Sequence, residues 1–417
     1  MIAPVAHIVC SGDELTLGRV ANTNAAWLSR RLTDLGFDVA RHVTVPDHFL
    51  PLVREIRLAA RAADLVILSG GLGPTVDDLT REAAAKAAGK RLLRSAAALR
   101  GIRAFFARRR RPMAPNNERQ ADFPQGAALV RNPVGTAPGF AMKLARAFVV
   151  ALPGVPVELR AMFDGEVVPL FRRQFPRRPA VATRELETIG LAESEVDRRL
   201  AGIASPTGNP RLSLMVRDGI VTARLVARGR TAADARRTIE ATGKRARGVL
   251  GTALFGRDGV DISDAVAAML RRAGLTLSVA ESCTGGLIGH LLTRVPGISG
   301  TLLEDVVTYS NESKVKRLGV SRALIAKKGA VSAEVCAAMA EGSARSTRAD
   351  AALAVTGIAG PGGGSPSKPV GLVFTAVHLR GRTTVADLHL SGDRVAIQAR
   401  AARLALEHLR QRLMNES

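Results

Sequence analysis

Residues 64–80 read Asp-Leu-Val-Ile-Leu-Ser-Gly-Gly-Leu-Gly-Pro-Thr-Val-Asp-Asp-Leu-Thr. A short unbroken apolar run, Asp64–Leu68, closed by a glycine cluster, reads as a strand buried on both faces. In the loop behind it the glycines permit positive φ, Pro74 stiffens the turn, and Asp77 and Asp78 are placed to cap a helix over 77–88. Upstream the alternation repeats: strand Val5–Cys10, a helix N-capped by Asn22 or Thr23 and ended by Gly36, strand Phe37–Val45, then a helix over about 48–62. Downstream a helix over 95–110 ends in Arg108–Arg111, where cations suit the negative end of the helix dipole. This β-α-β order predicts a doubly wound parallel sheet over residues 1–168.

Residues 169–258 change character. Pro169, Pro176 and Pro179 with four arginines read as a linker. Strand Glu185–Ile189, helix Glu193–Leu200, a hairpin of Arg211–Val216 and Ile220–Val226 turning at Asp218-Gly219, and a helix over 231–248 then make a small α+β module. Residues 259–417 return to α/β order, with helix 261–273, strand Leu275–Ala280, helix 285–295, strand Val306–Tyr309, helices near 321–342, strands near 350–356 and 370–377, and helix 394–412. The expected fold is α/β, with two doubly wound domains joined by the small module.

Composition narrows the function classes. The 417 residues are 47% hydrophobic, which excludes a disordered chain and suits two or three domains. Apolar runs such as Ala147–Leu152 are too short to span a bilayer. The opening segment carries no basic leader and is not expected to be a signal peptide. Cys10, Cys283 and Cys336 make neither a disulfide framework nor a zinc set, so a reducing cytoplasm is expected. The net charge of +23 is spread over all three segments and comes from 51 Arg against 9 Lys. With only 3% aromatic residues to stack on bases, compositional bias explains it better than a nucleic-acid face, with a polyanion partner as the alternative.

Three strand ends in the last segment carry chemistry. Strand Leu275–Ala280 opens into Glu281-Ser282-Cys283-Thr284-Gly285-Gly286, where open α/β sheets place ligands and free N–H groups meet a helix start. Thr308-Tyr309-Ser310-Asn311-Glu312-Ser313-Lys314 stands at the next strand end. Thr356-Gly357-Ile358-Ala359-Gly360-Pro361-Gly362-Gly363-Gly364 follows the third. Together with Gly392-Asp393-Arg394 these stretches resemble the CinA family, across about 261–412. That resemblance implies a nicotinamide mononucleotide amidohydrolase, releasing nicotinic acid mononucleotide and ammonia without a metal or other cofactor. It implies Ser282 as nucleophile and Lys314 as its base, the amine needing a lowered pKa. Tyr309, the single tyrosine, is expected to orient or relay a proton. Thr284, Gly285, Gly286, Asn311, Thr356, Gly357 and Arg394 are expected to hold the substrate's oxyanion, phosphate or ribose, although Arg394 is equally consistent with a surface arginine at a helix start. Cys283 with His290 is a rival nucleophile–base pair. Asp305 and Ser367 depart from the family pattern, which has glycine and glutamate there.

The N-terminal loops, with Gly12-Asp13-Glu14, Asn132–Gly139 and Leu152–Glu158, are similar to the molybdopterin-binding fold found in CinA proteins. The resemblance implies a nucleotide or pterin-like site from Asp13, Glu14, Asn24, Gly70, Gly71, Gly73, Thr75, Asp77 and Asp78. Some relatives are similar to metal-dependent ADP-ribose pyrophosphatases, so the resemblance also admits that activity, with a divalent metal, in this N-terminal domain. Ala21 and His48 stand where the family carries acids, which weakens such a metal site. The middle segment resembles a KH-type domain but lacks a Gly-x-x-Gly loop, Pro206-Thr207-Gly208-Asn209 being a poor substitute, and so reads as a spacer or dimerisation element. The expected partners are a small nucleotide substrate and a second copy of the chain, with neither nucleic acid nor membrane. The alternative is a nucleic-acid-associated competence or damage-response factor without turnover.

Overall fold

Alternation along single strands shows how each sheet is covered. The computed structural model describes residues 2–416 and divides into two units, Met1–Ala182 with Ala227–Arg237 and Thr183–Val226 with Thr238–Ser417.

The N-terminal unit carries strands β1 (Val5–Ser11), β2 (Asp38–Val45), β3 (Leu65–Ser69), β4 (Leu92–Arg94), β5 (Asp122–Pro124), β6 (Ala128–Val130), β7 (Gly139–Leu144) and β8 (Ala147–Leu152). Its helices are α1 (Asp13–Thr16), α2 (Thr23–Asp34), α3 (Phe49–Ala62), α4 (Thr80–Ala88), α5 (Ala96–Arg108), α6 (Pro156–Met162) and α7 (Val168–Gln174). Six strands form one sheet in the order β2-β1-β3-β8-β7-β6. The first four are parallel and the last two antiparallel. On β3, Val66 and Leu68 join one core with Ile56 and Phe140, while Leu65 and Ile67 join the other with Leu28 and Phe171. Both faces are therefore covered, as the unbroken apolar run requires.

Two local readings need correction. The stretch read as a linker begins as helix α7, whose Phe171 is fully buried against Phe37 and Phe163. Its prolines mark helix starts and ends rather than an extended spacer. Helix α4 starts at Thr80 with no side-chain cap. The Asp78 carboxylate turns back into the loop instead, accepting from the N–H of Gly73 (2.7 Å) and Thr75 (2.8 Å).

The middle module comprises β9 (Ala180–Ile189), α8 (Glu193–Leu200), β10 (Arg211–Arg217), β11 (Ile220–Gly229), α9 (Ala232–Leu250) and β12 (Leu254–Arg257), in the sheet order β10-β11-β9-β12. Asp218 and Gly219 both have positive φ, 52° and 85°, which the tight hairpin turn demands. Strand β12 has no counterpart in the sequence reading, because four residues are too few to show a period.

The C-terminal elements are α10 (Ile262–Ala273), β13 (Leu277–Glu281), α11 (Leu287–Thr293), β14 (Leu302–Val307), α12 (Asn311–Leu318), α13 (Arg322–Lys328), α14 (Ala333–Thr347), β15 (Ala351–Gly357), β16 (Leu372–Leu379), β17 (Arg382–His389) and α15 (Arg394–Asn415). The sheet runs β14-β13-β15-β16-β17, the first three strands parallel and the last two antiparallel. Helices α10, α11 and α15 pack on one face, through Val266, Ile288 and Leu406 against Val279 and Leu353. On the other face, α12, α13 and α14 pack through Leu318, Ile325 and Met339 against Ala280 and Ala354. The strand expected at Val306–Tyr309 lies earlier, so Tyr309 falls in the loop behind it. Among the described residues no helix is long and apolar enough to cross a membrane.

Candidate active site

Strands β13 and β14 are parallel neighbours, so their C-terminal ends and the turns that follow lie side by side. The ladder runs past β14 proper: the N–H of Thr308 donates to the carbonyl of Glu281 at 2.8 Å. Ser282 leaves β13 at this point, and Lys314 rides on the first turn of α12, whose N-cap Ser310 accepts from the N–H of Ser313. The two side chains meet. Lys314 Nζ donates to Ser282 Oγ at 2.9 Å and to the carbonyl of Thr308 at 2.7 Å, with that of Tyr309 3.5 Å away. Lys314 is 1% exposed and Ser282 is buried. Burial holds the ammonium below the ordinary lysine range, because a charge costs more away from water.

The turn after Ser282 is built for backbone chemistry. Gly285 and Gly286 take positive φ, 66° and 95°. Among the described residues the N–H groups of Cys283 and Thr284 donate to no protein acceptor. The hydroxyl of Thr284 is buried and likewise unpartnered. Burial pushes the Cys283 thiol up to about 12, which opposes a thiolate nucleophile, and His290 is exposed on α11.

Other expected residues sit around this pair rather than in it. Tyr309 is 61% exposed, and its hydroxyl accepts from Arg394 Nη2 at 2.7 Å. Arg394 Nη1 donates to the carbonyl of Gly360 at 2.6 Å, so this arginine straps the tyrosine loop to the glycine loop. Thr356 is buried, with its hydroxyl committed to the carbonyl of Ala330 at 2.9 Å. Gly357 lies so close to Val373 that a Cβ would stand 2.7 Å from its Cγ2. Asn311 is exposed at the start of α12. Two residues to which the sequence reading gives no role also shape the site. The fully buried Glu281 carboxylate accepts from the N–H of Gly286 and of Gly289, both at 2.9 Å. Lys368 Nζ donates to the carbonyls of Lys328 (2.6 Å) and Val331 (2.7 Å), bracing the loop that carries Ala330. An acid at the inner end of a buried strand was the available signal for Glu281.

The N-terminal loops enclose a second cleft, of about 510 Å³, lined by Glu14, Asp47, Gly70, Gly71, Gly73, Thr75, Asp77, Asp78 and Glu158 among others. Ser11 lines it with a buried, unpartnered hydroxyl. The fully buried Arg81 fixes the glycine loop, its guanidinium donating to the carbonyls of Leu72 (2.6 Å) and Gly73 (2.8 Å). Asp13 and Asn24 are not on the wall. Asp13 exchanges hydrogen bonds of 3.1 Å with Asp47, each carboxylate accepting from the other's N–H. Asn24 donates to Ser69 Oγ and to the carbonyl of Gly154. Asp78 and Asp13 are spent on backbone amides, and among the described residues no three His, Cys, Asp or Glu side chains are grouped to hold a metal.

Known proteins match this chain along its whole length. The CinA C-terminal domain family matches residues 260–413, the damage-inducible protein CinA KH domain family residues 183–256, and the probable molybdopterin binding domain family residues 7–173. A CinA-like protein of Geobacter sulfurreducens is 44% identical, covering 97% of this chain and 98% of its own. The chain belongs to the CinA family. A CinA-like protein of Kosmotoga olearia is 39% identical over 98% of this chain and 99% of its own. Among solved structures, a competence/damage inducible protein from Agrobacterium tumefaciens is 41% identical, with a TM-score of 0.36, covering 37% of this chain and 93% of that one. The KH match gives the middle module its family; its loop Pro206-Thr207-Gly208-Asn209 still lacks the second glycine of a Gly-x-x-Gly clamp.

Proposed function

We propose that the C-terminal unit is an amidohydrolase acting on nicotinamide mononucleotide. The observation that carries this reading is the buried 2.9 Å contact between Lys314 Nζ and Ser282 Oγ. A hydroxyl becomes a useful nucleophile only beside a base, and an amine becomes a base only when its charged form is disfavoured, as burial disfavours it here. Ser282 Oγ attacks the carboxamide carbon as its proton passes to Lys314 Nζ. The developing oxyanion is received by the N–H groups of Cys283 and Thr284. Collapse breaks the C–N bond, and the proton on Lys314 leaves with the departing ammonia. Water then attacks the acyl ester, Lys314 again taking the proton, to release the pyridine carboxylate and restore the serine. Tyr309 and Arg394, exposed and joined by their hydrogen bond beside this pair, would meet the substrate's phosphate or ribose. The N-terminal cleft, with the buried and unpartnered hydroxyl of Ser11 on its wall, would hold a nucleotide or pterin-like ligand.

The test is ammonia release from nicotinamide mononucleotide by the full chain. Ser282→Ala should abolish it and Cys283→Ala should leave most of it. The reverse pattern would transfer the nucleophile's role to the thiol, and no turnover by the parent protein would remove the reading altogether.

A further inference from the structure

Beneath the Ser282 turn lies a carboxyl pair that the mechanism above does not use. Glu281 ends β13 with its side chain fully buried and bonded to the N–H groups of Gly286 and Gly289. One carboxylate thus holds both Gly286, the N-cap of α11, and Gly289 on that helix. Asp305 stands beside it on β14, paired in register with Val279, its carboxyl pressed against α11 so closely that a Cβ on Gly289 would stand 1.9 Å from Oδ2. Asp305 Oδ1 is buried with no hydrogen-bond partner among the described residues. A buried oxygen left in that state is costly unless a proton sits between the two carboxyls.

We propose that Glu281 is a positioning residue for the nucleophile turn and that Asp305, sharing a proton with it, latches it in place. The proposal rests on the hydrolase reading only for its consequence in turnover; the latch itself is a property of the fold. The groups facing the pair are few. Glu281 comes from β13, Glu304 is next to Asp305 on its own strand, the Cys283 thiol lies on the turn, and α11 presents Gly289. Among the described residues no cation pairs with either carboxyl. Burial and the neighbouring Glu281 push the Asp305 carboxyl up to about 7. Because this group is more easily protonated folded than unfolded, the latch is complete in acid and is lost as pH rises from the ordinary carboxylate range through about 7.

Hydrogen–deuterium exchange of the peptide covering 282–290 tests this without substrate. In the full chain, exchange corrected for its intrinsic base catalysis should rise by up to about tenfold per unit between about pH 5 and 7 and then level, since each opening releases one proton. Asp305→Asn keeps the shape and cannot ionise, so its corrected exchange should be flat. Asp305→Gly serves if the amide variant fails to fold, and should be flat and faster throughout. Equal pH dependence in the parent and either variant would overturn the latch. If the exchange pattern holds while neither protein releases ammonia, the latch stands and the hydrolase reading falls.

Discussion

Lys314→Met removes the amine and keeps the side chain's length and apolar stem. Three carbonyl or hydroxyl oxygens then lose a donor: Thr308 O at 2.7 Å, Ser282 Oγ at 2.9 Å and, more weakly, Tyr309 O at 3.5 Å. Two well-made hydrogen bonds are worth about 1 kcal/mol each net, and the carbonyl of Thr308 is left unsatisfied at roughly 1–3 kcal/mol. Against this, the variant no longer buries a polar amine that is 1% exposed, a cost of opposite sign. The net change in stability should therefore stay within about 2 kcal/mol, a melting shift of no more than roughly 8 °C for a unit of this size. Catalysis should fall far more. A positioned general base contributes about 10²–10⁴-fold, and members of a nucleophile–base unit are each nearly indispensable. Ammonia release from nicotinamide mononucleotide and thermal denaturation, measured on the same preparations, separate the two effects. A Lys314→Met protein that keeps more than about a tenth of parental kcat would refute the assignment of Lys314 as base.

Two further outcomes follow from packing and titration. Gly342 lies where α14 crosses the end of α12, and a Cβ there would stand 2.0 Å from the carbonyl oxygen of Leu318. Gly342→Ala should destabilise by about 1–3 kcal/mol and, by pushing α12 outward, lower kcat as well, read by denaturation and ammonia assay together. His408 is half-buried between Thr375 Oγ1 (2.9 Å) and Thr384 Oγ1 (3.1 Å), and desolvation pulls its pKa down to about 4. The unfolded chain takes up that proton first, so stability should fall by roughly 3 kcal/mol as pH drops from 6.5 to 4, and His408→Gln should flatten the fall in urea titrations.

The parts of the fold legible in sequence were those where one element decides its own structure. The buried runs at β3 and β13, the Asn22 cap and the Asp218-Gly219 hairpin needed only local pattern. What escaped was decided at a distance. Helix α12 is eight residues long and mostly polar outward, so its period is faint, although it carries Lys314. Strand β17 alternates weakly at a sheet edge, and β12 is too short to read. The reversal of Asp78 into the glycine loop depends on the loop's own amides, which offer it more partners than the helix start does. Side-chain roles divided in the same way. The residues on the turns at the strand ends were visible as motifs, whereas Glu281, Arg81 and Lys368 work by bonding backbone groups, the first two across their own loop–helix turns and Lys368 from 37 and 40 residues away.

The pairing of β13 with β14 slips once: Leu277 faces Leu302 but Ser278 faces Glu304, so Leu303 is an extra residue. Had the two strands met without that bulge, everything beyond it would be displaced by about 3.3 Å along the sheet and turned to the opposite face. That displacement exceeds the whole separation of the amine from the hydroxyl. The meeting of the two groups is thus set a dozen residues upstream, by a single surplus leucine at the rim, and insertions or deletions there should silence chemistry they never touch.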